Sequence, residues 1–106
     1  MKSITYINKK DKDKAVKVKT AAYLNKIKLD SVDEKEAASL PDDAEILIMR
    51  GFTRGDITTF LTDLKKKGLR IDLKCVETDT NKSWPLIKLY KEIKNEHEAM
   101  QNMQTD

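Results

Sequence analysis

Ala44-Glu45-Ile46-Leu47-Ile48-Met49 is the stretch that decides how this chain folds. Four apolar residues in succession leave no alternate position free to face water. A strand of that kind is covered on both faces, as in the middle of a parallel sheet. Arg50-Gly51-Phe52 ends it, and Thr53-Arg54-Gly55-Asp56 then has a capping hydroxyl with an acid in the first helical turn. Ile57, Phe60, Leu61 and Leu64 follow at i, i+3, i+4 and i+7, and Gly68 after Lys65-Lys66-Lys67 supplies the stop.

Reading backwards, Ser3-Ile4-Thr5-Tyr6-Ile7 is β-branched and aromatic, which suits a strand. Asp11 and Asp13 mark a helix start, and Val16, Thr20, Tyr23, Leu24 and Ile27 fall on one face at helical spacing. That face is the expected core side of the first helix, with Asn25 as its left-handed cap. Ile27 and Leu29 alternate with Lys26, Lys28 and Asp30, which predicts a half-exposed strand to about Val32. Asp33 to Asp43 is a short connection, with two helical turns expected over Glu34 to Leu40 before Pro41.

Downstream, Ile71, Leu73 and Cys75 alternate with Arg70, Asp72 and Lys74, predicting a strand with one wet face near a sheet edge. Ser83-Trp84-Pro85 opens the last helix, whose apolar stripe is Leu86, Leu89, Tyr90 and Ile93, with His97 and Met100 as its expected continuation. Residues 101–106 are expected to fray. The order β-α-β-linker-β-α-β-α predicts one α/β domain over residues 1–106, with no internal repeat visible. The leading architecture is a small three-layer sandwich, its four-stranded, mostly parallel sheet in the order 2-1-3-4. The alternative is a ferredoxin-like α+β sandwich plus a C-terminal helix, with both crossover helices on one face. The unbroken run at 46–49 favours the first.

The chain has 106 residues, and 21 Lys and Arg against 18 Asp and Glu leave a net charge of +3. That excludes a polycation and an acidic tail protein. The small net value hides segregation: +7 over residues 1–28, −6 over 29–49, +4 over 50–76 and −2 over 77–106. Every basic residue of the first block is Lys, and acids follow close behind, so a nucleic-acid interface through this basic N-terminal region is only a secondary reading. The first two blocks complement one another and are expected to pair within the fold or across a homodimer. Cys75 is the single cysteine, so neither an intramolecular disulfide nor a cysteine metal cluster forms, and no apolar run approaches the ~20 residues of a membrane span. A cytoplasmic protein without membrane attachment is the expectation.

From residue 44 to 100 the chain resembles a small bacterial family known only as a domain of unknown function. The resemblance rests on the strand ending Arg50-Gly51-Phe52, the helix Ile57 to Leu64 and the run Thr78-Asp79-Thr80-Asn81-Lys82-Ser83-Trp84. The Glu-rich closing helix, Leu89 to Met100, belongs to it as well. It implies a bacterial origin and a fold, and carries no mechanism.

In an open α/β sheet, ligands bind beyond the carboxyl ends of the strands, at the switch point. The expected crevice is walled by Asn8-Lys9-Lys10, by the loop from Arg50 to Arg54 and by the loop from Thr78 to Ser83. Its candidate ligand-binding residues are Arg50, Thr53, Arg54, Thr78, Thr80, Asn81 and Trp84, with a phosphate-like or other small anion as ligand. The plainer account makes Thr53 and Ser83 (or Asn81) helix caps, Asn81 a loop organiser and Trp84 a plug at the end of the core. His97 has only Ile93, Lys94, Met100 and Gln101 on its helical face, so no metal site and no catalytic histidine are expected. No catalytic group and no cofactor motif emerge. The functional expectation is a non-catalytic module binding a protein partner. A phosphate- or nucleotide-ligand sensor or small enzyme at the Arg50–Arg54 and Thr78–Ser83 loops is the alternative.

Overall fold

The computed structural model describes residues 1–104 and places the 46–49 run at the centre of a four-stranded sheet. The elements are β1 (Ser3–Asn8), α1 (Lys12–Leu24), β2 (Lys28–Leu29), α2 (Glu34–Ala38), β3 (Glu45–Arg50), α3 (Arg54–Lys66), β4 (Lys74–Val76) and α4 (Leu86–Gln104). The strand order is β2-β1-β3-β4, the order of the leading reading. β1 pairs β2 in parallel, as β3 pairs β4. The central pair is antiparallel, Ser3 opposite Arg50 and Asn8 opposite Glu45, so the sheet is mixed.

The short linker explains the reversal. A strand parallel to β1 leaves the chain at the end of the sheet where β1 itself finishes. Entering β3 from that same end needs only the local connection through α2, whereas a parallel β3 needs a traverse of the whole sheet. The reversal also decides which face each helix covers. The βαβ units step outward in opposite directions from two opposed strands, so right-handed crossovers put α1 and α3 on the same side. One buried cluster joins Ile4, Tyr6, Leu47 and Met49 to Val18, Ala21 and Ala22 of α1 and to Phe60 and Leu64 of α3. The other joins Ile46 and Ile48 to Leu40, Ala44 and the α4 residues Leu86, Leu89, Tyr90 and Ile93. Successive side chains of β3 alternate between these clusters, which is why its run is unbroken. The face shared by α1 and α3 and the antiparallel β1–β3 pair are the features that the chain has in common with the ferredoxin-like alternative.

The two halves repeat one another in backbone, though no repeat is visible in sequence. α1 and α3 each have 13 residues and lie 42 positions apart. Asp11 caps α1 by accepting from the Lys14 N–H, and Thr53 caps α3 by accepting from the Asp56 N–H. At the far ends Ile27 donates to Ala22 O and Leu69 to Leu64 O, each at 2.9 Å, around a left-handed residue: Lys26 with φ 60° and Gly68 with φ 72°. Every one of these pairs keeps the 42-residue spacing. Asn25 is therefore not the left-handed cap expected of it; at φ −91° it donates its side-chain amide to Ala21 O and to Asp63.

The edge strands are shorter than the alternation predicts. β2 has two residues, although its pairing extends through Asp30 N to Ile4 O. β4 has three, extended by Leu73 O and Glu77 N. Ile71 joins the α1/α3 cluster while Leu73 and Cys75 face the other, so these three do not share one face. Irregular backbone at residues 72–73 breaks the alternation there. The expectation of fraying at 101–106 meets a backbone that is helical through Gln104; residues 105 and 106 lie outside the described residues.

The largest correction concerns α1. Its buried residues are Val18, Ala21 and Ala22, with Ala15 packed beside them. Of the expected core face only Ile27, beyond the helix, is buried; Val16, Tyr23 and Leu24 are 63%, 77% and 65% exposed, and Thr20 is exposed as well. A helix carrying two apolar stripes buries the one whose volume fits. Three alanines and a valine let α1 lie close against Ile4 and Tyr6, where tyrosine and leucine overfill the gap.

Candidate interaction surface

Arg50 ends β3 on the α2/α4 face and is committed to its neighbours. Its Nε donates to Glu77 Oε2 at 2.6 Å, and its Nη1 donates to Thr5 Oγ1 at 2.6 Å and to Asp30 Oδ2 at 3.2 Å. One guanidinium thus ties β1, the end of β2, β3 and the end of β4 together. Two carboxylates around one cation leave the cluster at −1, with no positive charge spare for an anion.

The other residues of the expected crevice divide between places. Arg50, Asn81 and Trp84 line one cavity of about 60 Å³ together with Glu36, Glu77 and Lys82. At ~30 Å³ per water that is space for about two waters. Thr53 and Arg54 start α3, which packs on the opposite face of the sheet. Thr53 and Asp56 form a reciprocal capping box, the Thr53 N–H donating to Asp56 Oδ2 at 3.0 Å. Thr78 and Asn81 bond reciprocally through Thr78 N–H to Asn81 Oδ1 and Asn81 N–H to Thr78 Oγ1, with Thr80 exposed between them. Trp84 is half-buried against the α4 cluster with the Lys88 ammonium 4.5 Å from its ring. Asn8-Lys9-Lys10 is not a wall of this region at all. Because β3 runs antiparallel to β1, Asn8 sits beside Glu45, at the other end of the sheet from Arg50. There Lys9 donates to Ala37 O and Leu40 O, and Lys14 pairs with Glu45 at 2.8 Å. Lys9 thus reaches carbonyls of the linker and Lys14 the first acid of β3, so the basic block 1–28 and the acidic block 29–49 meet within the fold.

Cys75 is half-buried, and burial pushes its thiol up to about 11, away from nucleophilic use. Among the described residues no group of three His, Cys, Asp or Glu is placed to hold a metal, and no helix is long and apolar enough to cross a membrane.

What the fold does present is the outer side of α1. Val16, Thr20, Tyr23 and Leu24 stand at i, i+4, i+7 and i+8, opposite the alanine side. Leu29 of β2 is 42% exposed and Met1 is 99% exposed, so five of the six exposed large apolar residues among those described belong to α1 and the sheet margin beside it. A groove of about 620 Å³ lies at the C-terminal end of α1 between Met1, Tyr23, Leu24 and Ile27, with Lys26 and Lys28 on its rim. Contiguous exposed apolar surface rimmed by charge is the mark of a contact site, which a lone exposed leucine is not. A signal for this was present in the sequence: one 13-residue helix carries a small-residue stripe at 15, 18, 21 and 22 and a larger one at 16, 20, 23 and 24.

The comparisons bear on the second half of the chain. The family model described as Domain of unknown function (DUF3783) matches residues 45–100, which span β3, α3, β4 and most of α4. No curated protein and no solved structure matches the chain. The matched stretch is more than half of the 106 residues, and the chain belongs to this family.

Proposed function

We propose that this family member is a cytoplasmic bacterial protein acting as a non-catalytic interaction module whose contact surface is the outer side of α1 with the margin of β2. The observation that carries the reading is the inversion of α1, which buries alanines and offers Val16, Tyr23 and Leu24 to solvent. Exposing side chains of that size forgoes roughly 1.5–3 kcal/mol of burial for each, a cost that a bound partner recovers. The polar groups elsewhere support the same reading, because Arg50, Thr53, Thr78 and Asn81 all serve the fold's own hydrogen bonds. A lone cysteine fits a reducing compartment.

A photo-crosslinking side chain at Tyr23 tests this in the producing cell. A discrete adduct is expected there, lost on Val16→Glu or Leu24→Glu, and no adduct from the same group at Thr59, an exposed position of α3. Absence of an adduct at Tyr23, or equal labelling at Thr59, overturns the reading.

A further inference from the structure

The charge around this surface says what covers it. On a 3.6-residue helix, Lys17 lies on one side of the Val16–Tyr23–Leu24 ridge and Lys12 and Lys19 on the other. Lys26 and Lys28 continue the rim at the groove. All five are exposed, and none takes part in an ion pair among the described residues. The acids nearby are Asp11, which caps the helix, Asp13 in its first turn, and Asp30 beside Leu29, its carboxylate taken up by Arg50. The ridge is apolar along two turns, ends in a concavity and is bordered by cations that make no ion pair among the described residues.

From this complementarity we infer that the partner is an acidic amphipathic helix of another protein, laid along α1. Its apolar side chains, at i, i+3 or i+4 and i+7, pack against Val16, Tyr23 and Leu24, and one of them enters the groove beside Met1 and Ile27. Its flanking Asp and Glu residues meet Lys17 on one side and Lys12 and Lys19 on the other. The inference rests on the interaction-module reading and adds the chemistry of the partner to it.

Two other occupants fit less well. A second copy of the chain docking about a two-fold axis brings lysines against lysines. Docking through its acidic linker instead presents Asp33, Glu34, Glu36, Asp42 and Asp43, a stretch without an exposed large apolar side chain. An anionic bilayer satisfies the lysines, but offers no ordered ridge of side chains to pack along Val16, Tyr23 and Leu24.

The test maps the peptide attached to a photo-crosslinker at Tyr23 of the full chain by mass spectrometry. The expected peptide comes from another protein, has Asp and Glu in excess over Lys and Arg, and carries apolar residues at helical spacing. A synthetic peptide of that sequence is then titrated against the purified chain. Affinity is expected to fall at least ~10-fold between about 50 and about 300 mM salt, and by a similar factor in a Lys17→Glu, Lys19→Glu, Lys26→Glu variant. A Gln version of the same triple variant, with unchanged circular dichroism, is expected to lose a smaller part of the affinity. A neutral or basic mapped segment, a salt-independent affinity, an adduct of twice the chain's mass, or crosslinking to lipid with sedimentation on phosphatidylglycerol vesicles each overturns the acidic-helix inference and leaves the contact surface standing. No adduct at Tyr23 overturns both.

Discussion

Arg50 shows how one residue at one position is drawn into the fold's own hydrogen bonds. Its guanidinium holds Thr5, Asp30 and Glu77, and Thr5 is 4% exposed. Arg50→Met leaves two carboxylates facing one another and a buried hydroxyl short of a partner. A loss of about 2–3 kcal/mol in urea denaturation is expected, with part of it regained when Glu77→Gln is added. Asp56 makes a second residue-scale case. Its carboxyl is held below the usual 3.8 first by the Thr53 backbone N–H, then by the Thr53 side chain and Lys2. A carboxyl whose folded pKa is depressed stabilises the fold above its unfolded pKa, and that contribution disappears as pH falls through the folded value. Asp56→Ala is therefore expected to be less stable than wild type at pH ~7, with the gap closing below pH ~4. Parallel thermal melts check it; a gap that is constant with pH means the capping box does not carry the effect.

At the scale of elements, α1 separates hydrophobicity from burial. The sum of apolar character favours Val16, Tyr23 and Leu24 for the core, while the gap above Ile4 and Tyr6 admits Ala15, Val18, Ala21 and Ala22. Ala22→Leu is expected to cost about 1–3 kcal/mol by overpacking, whereas Leu24→Ala stays within about 0.5 kcal/mol of wild type. The opposite ranking by chemical denaturation returns the larger stripe to the core and removes the basis of the contact surface. The same distinction explains what was legible. Period and caps located α3 and β3 closely, because Ile57, Phe60 and Leu64 are one stripe without a rival and Thr53 has its acid at Asp56. The strand order 2-1-3-4 was legible from the length of the 46–49 run. The direction of β1 relative to β3 was not, since apolar runs carry no polarity, and with it went the crevice that joined Lys9 to Arg54. Nor was the repeat at 42 residues legible. Its equivalent positions pair Asp11 with Thr53, Val18 with Phe60 and Lys26 with Gly68, which share backbone roles and no side-chain identity.

For the whole molecule, the antiparallel joint between two βαβ units sets where the fold is strongest. β1 and β3 run beside one another over six residues each, hold both core clusters between them and have a strand on either side. β2 and β4 are paired along one side only, and β2 for two residues. The basic and acidic blocks reinforce this division: Lys9 binds the linker, Lys14 binds Glu45 of β3 and Arg50 binds Asp30, while Lys12, Lys17, Lys19, Lys26 and Lys28 remain outside the joint. Amide exchange in the isolated protein is expected to be slowest at Ile4–Ile7 and Ile46–Met49, opening only with the global transition, and fastest among strand residues at Lys28–Asp30. Exchange at Lys28–Asp30 as slow as in β1, and dependent on protein concentration, means that another copy covers the β2 margin. That places the second copy where the acidic helix is inferred to lie, and a single exchange series at two concentrations tests for that copy.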